Sequence, residues 1–580
     1  MKFRWSIAPS QPALAGELSS QLGVSPLLAQ CLLNRGHSEP EAVARFLEPR
    51  LRNLADPFAL PNMAAAVDRL FAARERAEPL VIFGDYDVDG VTSTALLIEA
   101  LRALGWSVDC YLPHRMDEGY GLSQDGVENC LQKFPGTKLL LAVDCGSTAV
   151  ETIGWLRQRG VDVLVLDHHQ VSDPAPPALA LVNPQLSVPP SGGPAKAGTT
   201  NFTELCSAGL AFKLAHALVK RGRELQLPAA LAFDVRPLLD LVALGTIADL
   251  VPLTGENRIL VTAGLERLNV TRRHGVLALK TAAGIEGEIG TYEVGFQLGP
   301  RLNAAGRLEN AAEALQLLLA PDPATAEPIA RALDSRNRER QQIERTITDE
   351  VTGAIRARFD PARDFVIVEG QLLWHIGVVG IVASRVLREF YRPTLILGGD
   401  AEQWRGSGRS VEGFDLAAAL RECDDLLIRH GGHAMAAGIT IAPGNVGPFR
   451  ERLNAIARRT LRPEQLQPVL KLDAEITLRE LTTERLAELD RLAPTGQGNP
   501  ALQFCATGLR LHRPPLRMGR EQQHLKLHVT DGNDVREAVW WNVPKNFDMP
   551  KNFDLAFTAE VNEFRGQRTV QLKVTDLRIG

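Results

Sequence analysis

Residues 83–97 read FGDYDVDGVTSTALL, with the apolar run PLVIF leading into them and a helix-like run, TSTALLIEALRALG, leading out. Three aspartates, Asp85, Asp87 and Asp89, fall within five residues at the end of what reads as a buried strand. Like charges placed there repel one another and lose hydration. A hard divalent cation cancels both effects by binding carboxylate oxygen. An acidic turn is the competing reading, since Asp is a good N-cap and suits the positive end of a helix. The stretch alone leaves both open.

Working outward, the short apolar segments SVDCYLP, KLLLAVD and VDVLVLD alternate with helical stretches as far as about residue 255. That alternation predicts a parallel, doubly wound α/β sheet, which binds ligands beyond the carboxyl ends of its strands. The acidic pattern also recurs. LLLAVDCGST ends a strand on Asp144, and VLVLDHHQ ends one on Asp167, followed by His168 and His169. LVALGTIADLVPL places Asp249 in an otherwise apolar run. Each of these alone is an ordinary cap, turn or hydrogen-bonded histidine. Several from neighbouring strands converge on one face of such a sheet. Asp with His fits Mn2+ or Mg2+ better than structural zinc, which favours thiolates. Two ions sharing one Asp would clamp both sides of a phosphoryl transfer.

The 580 residues imply roughly three to five domains. Composition is that of an ordinary globular chain, with 45% apolar and 23% charged residues. A net charge of −5 argues neither for nor against a polyanionic partner, because local patches outweigh the sum. The N-terminal MKFRWSIAPS has no apolar core of signal-peptide length, and no run approaches a membrane span. The seven cysteines are scattered without CxxC pairing and read as free thiols. A cytoplasmic protein with no membrane association is expected. Residues 1–78 are Ala/Leu-rich with helical periodicity and predict a helical N-terminal segment. The first α/β unit is placed at residues 79–322, and residues 186–201, LSVPPSGGPAKAGTTN, read as a surface loop. Residues 323–358 predict a long charged connecting helix. A second α/β unit is expected over 359–464. Short alternating strands over 465–580 suggest a sandwich or small barrel. In HLKLHV, His524, Lys526 and His528 alternate with apolar residues as one solvated strand face should. Trp540 and Trp541 would point to opposite faces of a strand, so at most one is core and the other is a stacking platform or a rim residue. The near-repeat VPKNFDMPKNFD has no evident physical reason.

The set DYDVDGVTST, VDCGST and DHH resembles the DHH phosphoesterase family. The resemblance continues, in order, through HRMDEGYGLS, LGTIADLVPL, GPRLNAAGR, WHIGVVGIVASRV, GSGRS and GGHAMAAG, and spans residues 81 to 440. It implies a parallel-sheet DHH catalytic domain joined by a long helix to a DHHA1-like substrate-binding domain, with a C-terminal OB-fold-like domain. The implied activity is that of the family's single-strand-specific 5′→3′ exodeoxyribonucleases, which act in DNA recombination and repair. The implied metal ligands are Asp87, Asp89, Asp144, His168 and Asp249, holding one or two Mn2+ or Mg2+ ions with Asp144 as the bridge. His169 would lie beside the scissile phosphate. Many DHH proteins carry a metal-binding His four residues before the first Asp of the DxD pair, and here that position is Phe83. Weaker holding of one ion, or its arrival with the substrate, is therefore expected; Asp85 either compensates or points to the other strand face.

For substrate the resemblance implies Arg115, Tyr120, Arg301, Asn303 and Arg307 as DNA-binding residues. Ser407, Arg409 and His433 lie in glycine-rich stretches whose backbone approaches an anion closely, and would hold the 5′-terminal phosphate. A narrow cleft between two α/β units would admit one strand and exclude a duplex. Single-stranded DNA is the expected partner of a monomer, and the resemblance adds a single-strand-binding protein and a repair helicase. Two other readings stand beside this one. One is a DHH phosphodiesterase of short oligonucleotides or cyclic dinucleotides, which usually lacks a trailing OB-like domain. The other is a non-catalytic single-strand-binding relative that has lost its metals.

Overall fold

The computed structural model describes residues 3–114, 118, 119, 121–187, 202–308, 311–564 and 566–579, without the side chains of 187, 202, 307, 308 and 564. Arg115, Tyr120 and most of the expected 186–201 loop lie outside the described residues. The chain divides into two compact units. One comprises Ala44–Arg338 with Leu492–Pro500; the other comprises Met1–Val43, Glu339–Arg491 and Ala501–Gly580. A 34-residue helix, Pro323–Arg356, contributes residues to both.

The first unit is built on a five-stranded parallel sheet. Its spatial order is Val108–Tyr111, Leu80–Gly84, Leu139–Val143, Asp162–Leu166 and Ala180–Val182. Numbered along the chain, this is 2-1-3-4-5, the doubly wound arrangement predicted from the βα alternation. Every residue of Leu80–Gly84 and Leu139–Val143 is buried, as befits central strands covered on both faces. Leu80 and Ile82 join one apolar layer, Val81 and Phe83 the other. The last strand, Ala180–Val182, was not anticipated; three residues are too few to show a period.

Asp87 caps the helix Val88–Ala103, accepting a 3.1 Å bond from the Gly90 amide. Thirteen of the sixteen residues of that helix are buried. It packs against the helices Ser207–Glu224 and Leu239–Ala248, the latter buried at nine of ten positions. Helices enclosed on all sides carry no amphipathic stripe. Arg258, 1% exposed, ties the Leu492–Pro500 segment into this unit. Its guanidinium donates to the carbonyls of Phe46 at 2.8 Å, Leu492 at 2.9 Å and Ala493 at 2.7 Å.

In the second unit a five-stranded mixed sheet runs in the order Arg429–Gly432, Ala436–Ile441, Trp404–Arg409, Thr394–Gly399 and Ile367–Leu372. Only its last pair is parallel. The C-terminal strands close into a barrel. Phe504–Leu511 pairs with His524–Thr530 on one side and Phe553–Phe564 on the other. Val535–Trp540 and Gln567–Ile579 complete the ring, giving the order 1-2-3-5-4-1 of a five-stranded OB-type barrel. His524, Lys526 and His528 alternate with buried Leu525, Leu527 and Val529, as expected. Lys526 on that face pairs with Glu537 at 2.7 Å. Trp540 ends its strand, half-buried edge-on against Phe547, while Trp541 lies beyond the strand and is 51% exposed.

The N-terminal segment is not helical throughout. Arg4–Ile7 is a strand, pairing parallel with Val469–Leu472 more than 450 residues away. Trp5 Nε1 donates to Asp576 at 2.9 Å. Four residues have little intrinsic preference, and the distant edge decides their state.

Exchanging Arg258 for Met leaves several carbonyls without their donor, each loss worth about 1–3 kcal/mol. Amide hydrogen exchange in residues 492–500 should then accelerate by roughly a hundredfold while the central strands stay protected. Unchanged protection would show that the guanidinium does not hold this segment.

Candidate metal centre

In a 2-1-3-4-5 sheet the order reverses between the first and third strands, and ligands bind at that switch point. Leu80–Gly84 and Leu139–Val143 are those strands, and they lead directly into Asp85–Asp89 and Asp144. Asp144 adopts a left-handed backbone, φ 62°, unusual for a non-glycine residue and characteristic of functional sites. Asp167 and the two histidines follow the fourth strand, and Asp249 caps the carboxyl end of Leu239–Ala248.

These residues meet. Ligand atoms of Asp85, Asp87 and Asp144 lie within 4.8 Å of one another, as do those of Asp89, His168 and Asp249. Asp144 also groups with His168 and His169, so it belongs to more than one set. His168 Nε2 is buried without a hydrogen-bond partner among the described residues. It faces Asp144 Oδ1 and Asp249 Oδ2 at 3.5 Å each and Asp89 Oδ2 at 3.9 Å. These separations are too long for good hydrogen bonds. A lone pair aimed at three carboxylate oxygens is repulsive unless a cation lies among them. The donors are carboxylate oxygen with one imidazole nitrogen, a set suited to Mn2+ or Mg2+.

The electrostatics agree. Burial, then the Asp87 charge, pushes Asp89 up to about 7. Burial, then Asp89 and Asp87, pushes Asp249 up to about 9. Asp144 is driven well above the usual range by burial and its neighbours Asp89, Asp87 and Asp85. The pocket holds more negative charge than its own cations neutralise, which is the condition a divalent ion relieves. The two histidines diverge. Burial, with His169 beside it, lowers His168 to about 4 and leaves it neutral near pH 7. Burial acts to lower His169 as well, but the hydrogen bond and charge of Asp167 outweigh it and raise His169 to about 9. His169 Nδ1 lies 2.7 Å from Asp167 Oδ1. His168 in its neutral form keeps a lone pair to offer a cation, while His169 is engaged by Asp167.

Several supporting groups escaped the sequence reading. Asp89 receives the amides of Ser207 at 2.7 Å and Ala208 at 2.8 Å, at the positive end of the helix Ser207–Glu224. Ser207 Oγ donates to Asp144 at 2.8 Å. Asp167 accepts the Ser147 amide at 3.0 Å. A Cβ on Gly245 would lie 2.8 Å from Asp89 Oδ1 and 2.6 Å from the Ala208 Cβ, so only glycine fits. Ser147 and Gly245 lie within VDCGST and LGTIADLVPL, but those stretches draw attention to their aspartates; Ser207 and Ala208 lie in no such motif, and contact with the acids is their signal. Asp85 is buried within the cluster, and Phe83 lies in the core, stacked on Tyr111 at 5.6 Å.

Arg273 acts from further away. Its guanidinium donates to both carboxylate oxygens of Glu99, Nη2 at 3.1 Å, and its Nε donates to Asp240 Oδ2 at 3.1 Å. Glu99 and Asp240 sit on the two helices that bear Asp89 and Asp249. They lie ten and nine residues from those acids, about 15 and 13 Å along the helices. One side chain thus sets the mutual position of both helices.

The expected substrate residues are placed as follows. Arg301 is engaged by Asp334, Nε to Oδ1 at 3.0 Å, and Asn303 is half-buried on the same helix, Gly299–Leu308. Arg307 lies on that helix too, with its side chain outside the described residues. In the second unit, Arg409 Nη1 donates to Ser407 Oγ at 2.8 Å. Burial lowers the Arg409 guanidinium, which has no carboxylate partner among the described residues. His433 is exposed in the hairpin turn, where its amide donates to the Ala436 carbonyl at 2.8 Å.

Family models match this architecture. Residues 79–246 match the DHH family N-terminal domain, 363–459 the DHHA1 domain and 472–576 the RecJ OB domain. Over its whole length the chain is 36% identical to the single-stranded-DNA-specific exonuclease RecJ of Bacillus subtilis (strain 168), covering 71% of that protein. This chain belongs to the RecJ family. A crystal structure of RecJ with Mn2+ from Thermus thermophilus has a TM-score of 0.84 at 31% identity, covering all of this chain and 80% of that one. The same protein with Mg2+ gives 0.78 at 29% identity, covering all of this chain and 79% of that one. The RecJ-family assignment bears out the DHH, DHHA1 and OB architecture expected from the motifs.

Two substitutions of residues that offer no ligand atom themselves should weaken Mn2+ binding measured by calorimetry on the apoprotein. Gly245→Ala displaces Asp89, and a loss of roughly ten- to a hundredfold is expected, as for partners of metal ligands elsewhere. Arg273→Met should cost about tenfold and Arg273→Lys less, because a single ammonium cannot span Glu99 and Asp240 together. Wild-type affinity in both Gly245→Ala and Arg273→Met would remove these supporting roles.

Proposed function

We propose that this RecJ-family chain is a divalent-metal-dependent exonuclease specific for single-stranded DNA, degrading it from the 5′ end to 5′-mononucleotides. The observation that carries the reading is the pair of ligand groups, Asp85 with Asp87 and Asp144, and Asp89 with His168 and Asp249, which adjoin where Asp144 faces His168 Nε2 at 3.5 Å. We assign Asp87, Asp89, Asp144, His168 and Asp249 as metal ligands, with Asp144 bridging two sites and Asp85 completing the first. When bound, Mn2+ or Mg2+ supplies Lewis acidity at the attacking and leaving oxygens of the phosphodiester. Water adds to phosphorus and the P–O3′ bond breaks, so the shortened strand again begins with a 5′-phosphate. The bridging position of Asp144 holds the acidic set in one register across both ligand groups. His169, charged near neutrality and anchored by Asp167, offsets negative charge developing on the phosphoryl oxygens. Arg409 with Ser407 is a half-buried cationic receptor for a substrate phosphate. His433, Asn303, Arg301, Arg307, Arg115 and Tyr120 are further proposed strand contacts, Arg301 requiring release from Asp334.

The OB-type barrel supports the exonuclease over a phosphodiesterase of short oligonucleotides or cyclic dinucleotides. The intact acidic set supports it over a non-catalytic relative. Among the described residues no helix is long and apolar enough to cross a membrane, and all seven cysteines are unpaired. We place the enzyme in the cytoplasm, acting as a monomer in recombination and repair beside a single-strand-binding protein and a helicase.

A 5′-labelled single strand should release labelled mononucleotide from the first turnover. EDTA should stop the reaction, and neither a blunt duplex nor a 3′ label should be attacked first. Asp144→Ala should abolish cleavage while strand binding persists. Activity confined to oligonucleotides of a few residues, or cleavage retained in Asp144→Ala, would refute the assignment.

A further inference from the structure

The helical stretch from Thr291 to Leu308 lies against two of the acidic segments of the metal centre, the Asp85–Asp87 loop and the helix end before Asp249. It comprises Thr291–Glu293, a π-helical turn Val294–Leu298 and Gly299–Leu308. At one end a Cβ on Gly306 would lie 2.6 Å from the carbonyl oxygen of Tyr86, between Asp85 and Asp87. Towards the other end a Cβ on Gly299 would lie 3.5 Å from the Cβ of Ala248, the residue before Asp249. Val294, Leu298 and Leu302 supply the buried stripe. Tyr292 and Phe296 lie away from it, 61% and 64% exposed, stacked with centroids 5.1 Å apart and planes inclined by 29°. Packing gives no reason for two aromatic rings on a wet face. π-turns inside helices concentrate at functional sites, and this one carries Phe296.

We infer that Tyr292 and Phe296 form a stacking platform for unpaired bases of the substrate strand as it enters the metal centre. The occupant follows from continuity and chemistry. The platform rides on the element that packs against the Asp85–Asp87 loop and the helix end before Asp249, beside the centre at which the strand is cut. Exposed aromatic faces bind the π-faces of unstacked bases without regard to sequence. A duplex hides those faces within its own stack, so the platform adds discrimination against double strands at the active site itself. The inference rests on the exonuclease reading and adds to it a base contact that no phosphate ligand provides.

The test crosses protein and substrate changes. Wild type, Tyr292→Ala/Phe296→Ala, Phe296→Leu and Phe296→Trp are assayed on 5′-phosphorylated oligo-dT and on the same strands carrying abasic residues near the 5′ end. The double variant should raise KM by roughly 5- to 100-fold with kcat within about twofold, in line with stacking contributions per base. Phe296→Trp should stay near wild type, and Phe296→Leu should show a loss despite keeping apolar bulk. Abasic residues should raise the wild-type KM by a similar factor and the double variant's hardly further. Calorimetric Mn2+ affinity of the double variant should equal wild type, which reports an intact fold and centre. Equal KM in all four proteins, as for a face that docks another protein, or losses that simply multiply, would overturn the platform. Absence of wild-type cleavage of the unmodified strand would instead remove the exonuclease reading, and the platform with it.

Discussion

Everything in the first unit is arranged around carboxylates that repel. Asp85, Asp87, Asp89, Asp144 and Asp249 are drawn into one small volume, three of them almost wholly buried. Burial alone disfavours each charge, and proximity multiplies the effect. Besides His169, held as a cation by Asp167, the fold answers with directed dipoles. The amides of Ser207 and Ala208 neutralise part of Asp89, and the hydroxyl of Ser207 binds Asp144. What remains uncompensated is the attraction that selects a divalent ion. A site satisfied by its own lysines and arginines would have no use for a metal.

Such a site demands rigidity from residues that never touch it. The helices bearing Asp89 and Asp249 are buried on nearly every side, so neither can roll to relieve repulsion. Arg273 ties their far ends together through Glu99 and Asp240. Gly245 allows the helix Leu239–Ala248 to approach Asp89 closely enough for the acids to converge. Stability is thus concentrated where the charge cost is greatest, and a like arrangement in an apolar core would have no function to justify it.

Much of this was legible beforehand. Apolar runs ending on Asp, repeated along a βα alternation, imply convergence at strand ends, because a parallel sheet sends every strand the same way. The convergence of Asp87, Asp89, Asp144 and Asp249 followed from that geometry. Phe83 and Asp85 were harder. Alternation along a strand places neighbours on opposite faces, yet Asp85 lies just past the end of the strand, where alternation no longer applies. Ser207 and Arg273 were invisible, since serine and arginine occur everywhere and only contact distinguishes these two; Gly245 stood inside LGTIADLVPL, but its role shows only in its approach to Asp89. The strand Arg4–Ile7 was read as part of a helical segment because its partner lies at the other end of the chain.

The alternation of strands and helices and the acids at the strand ends were determined by the sequence alone, because strand period, loop chemistry and residue type act locally. Tertiary structure decided what identical or adjacent residues became. The tetrapeptide KNFD occurs twice within ten residues; its first copy is an irregular turn, and its second enters the strand Phe553–Phe564 with a fully buried Phe553. His168 and His169 share a loop, yet one is a neutral base and the other a cation. The difference is the environment each meets: burial beside the His169 ring for His168, and the bonded Asp167 for His169. Charge state and conformation at such positions depend on long-range contacts, and those exist only once the chain has folded.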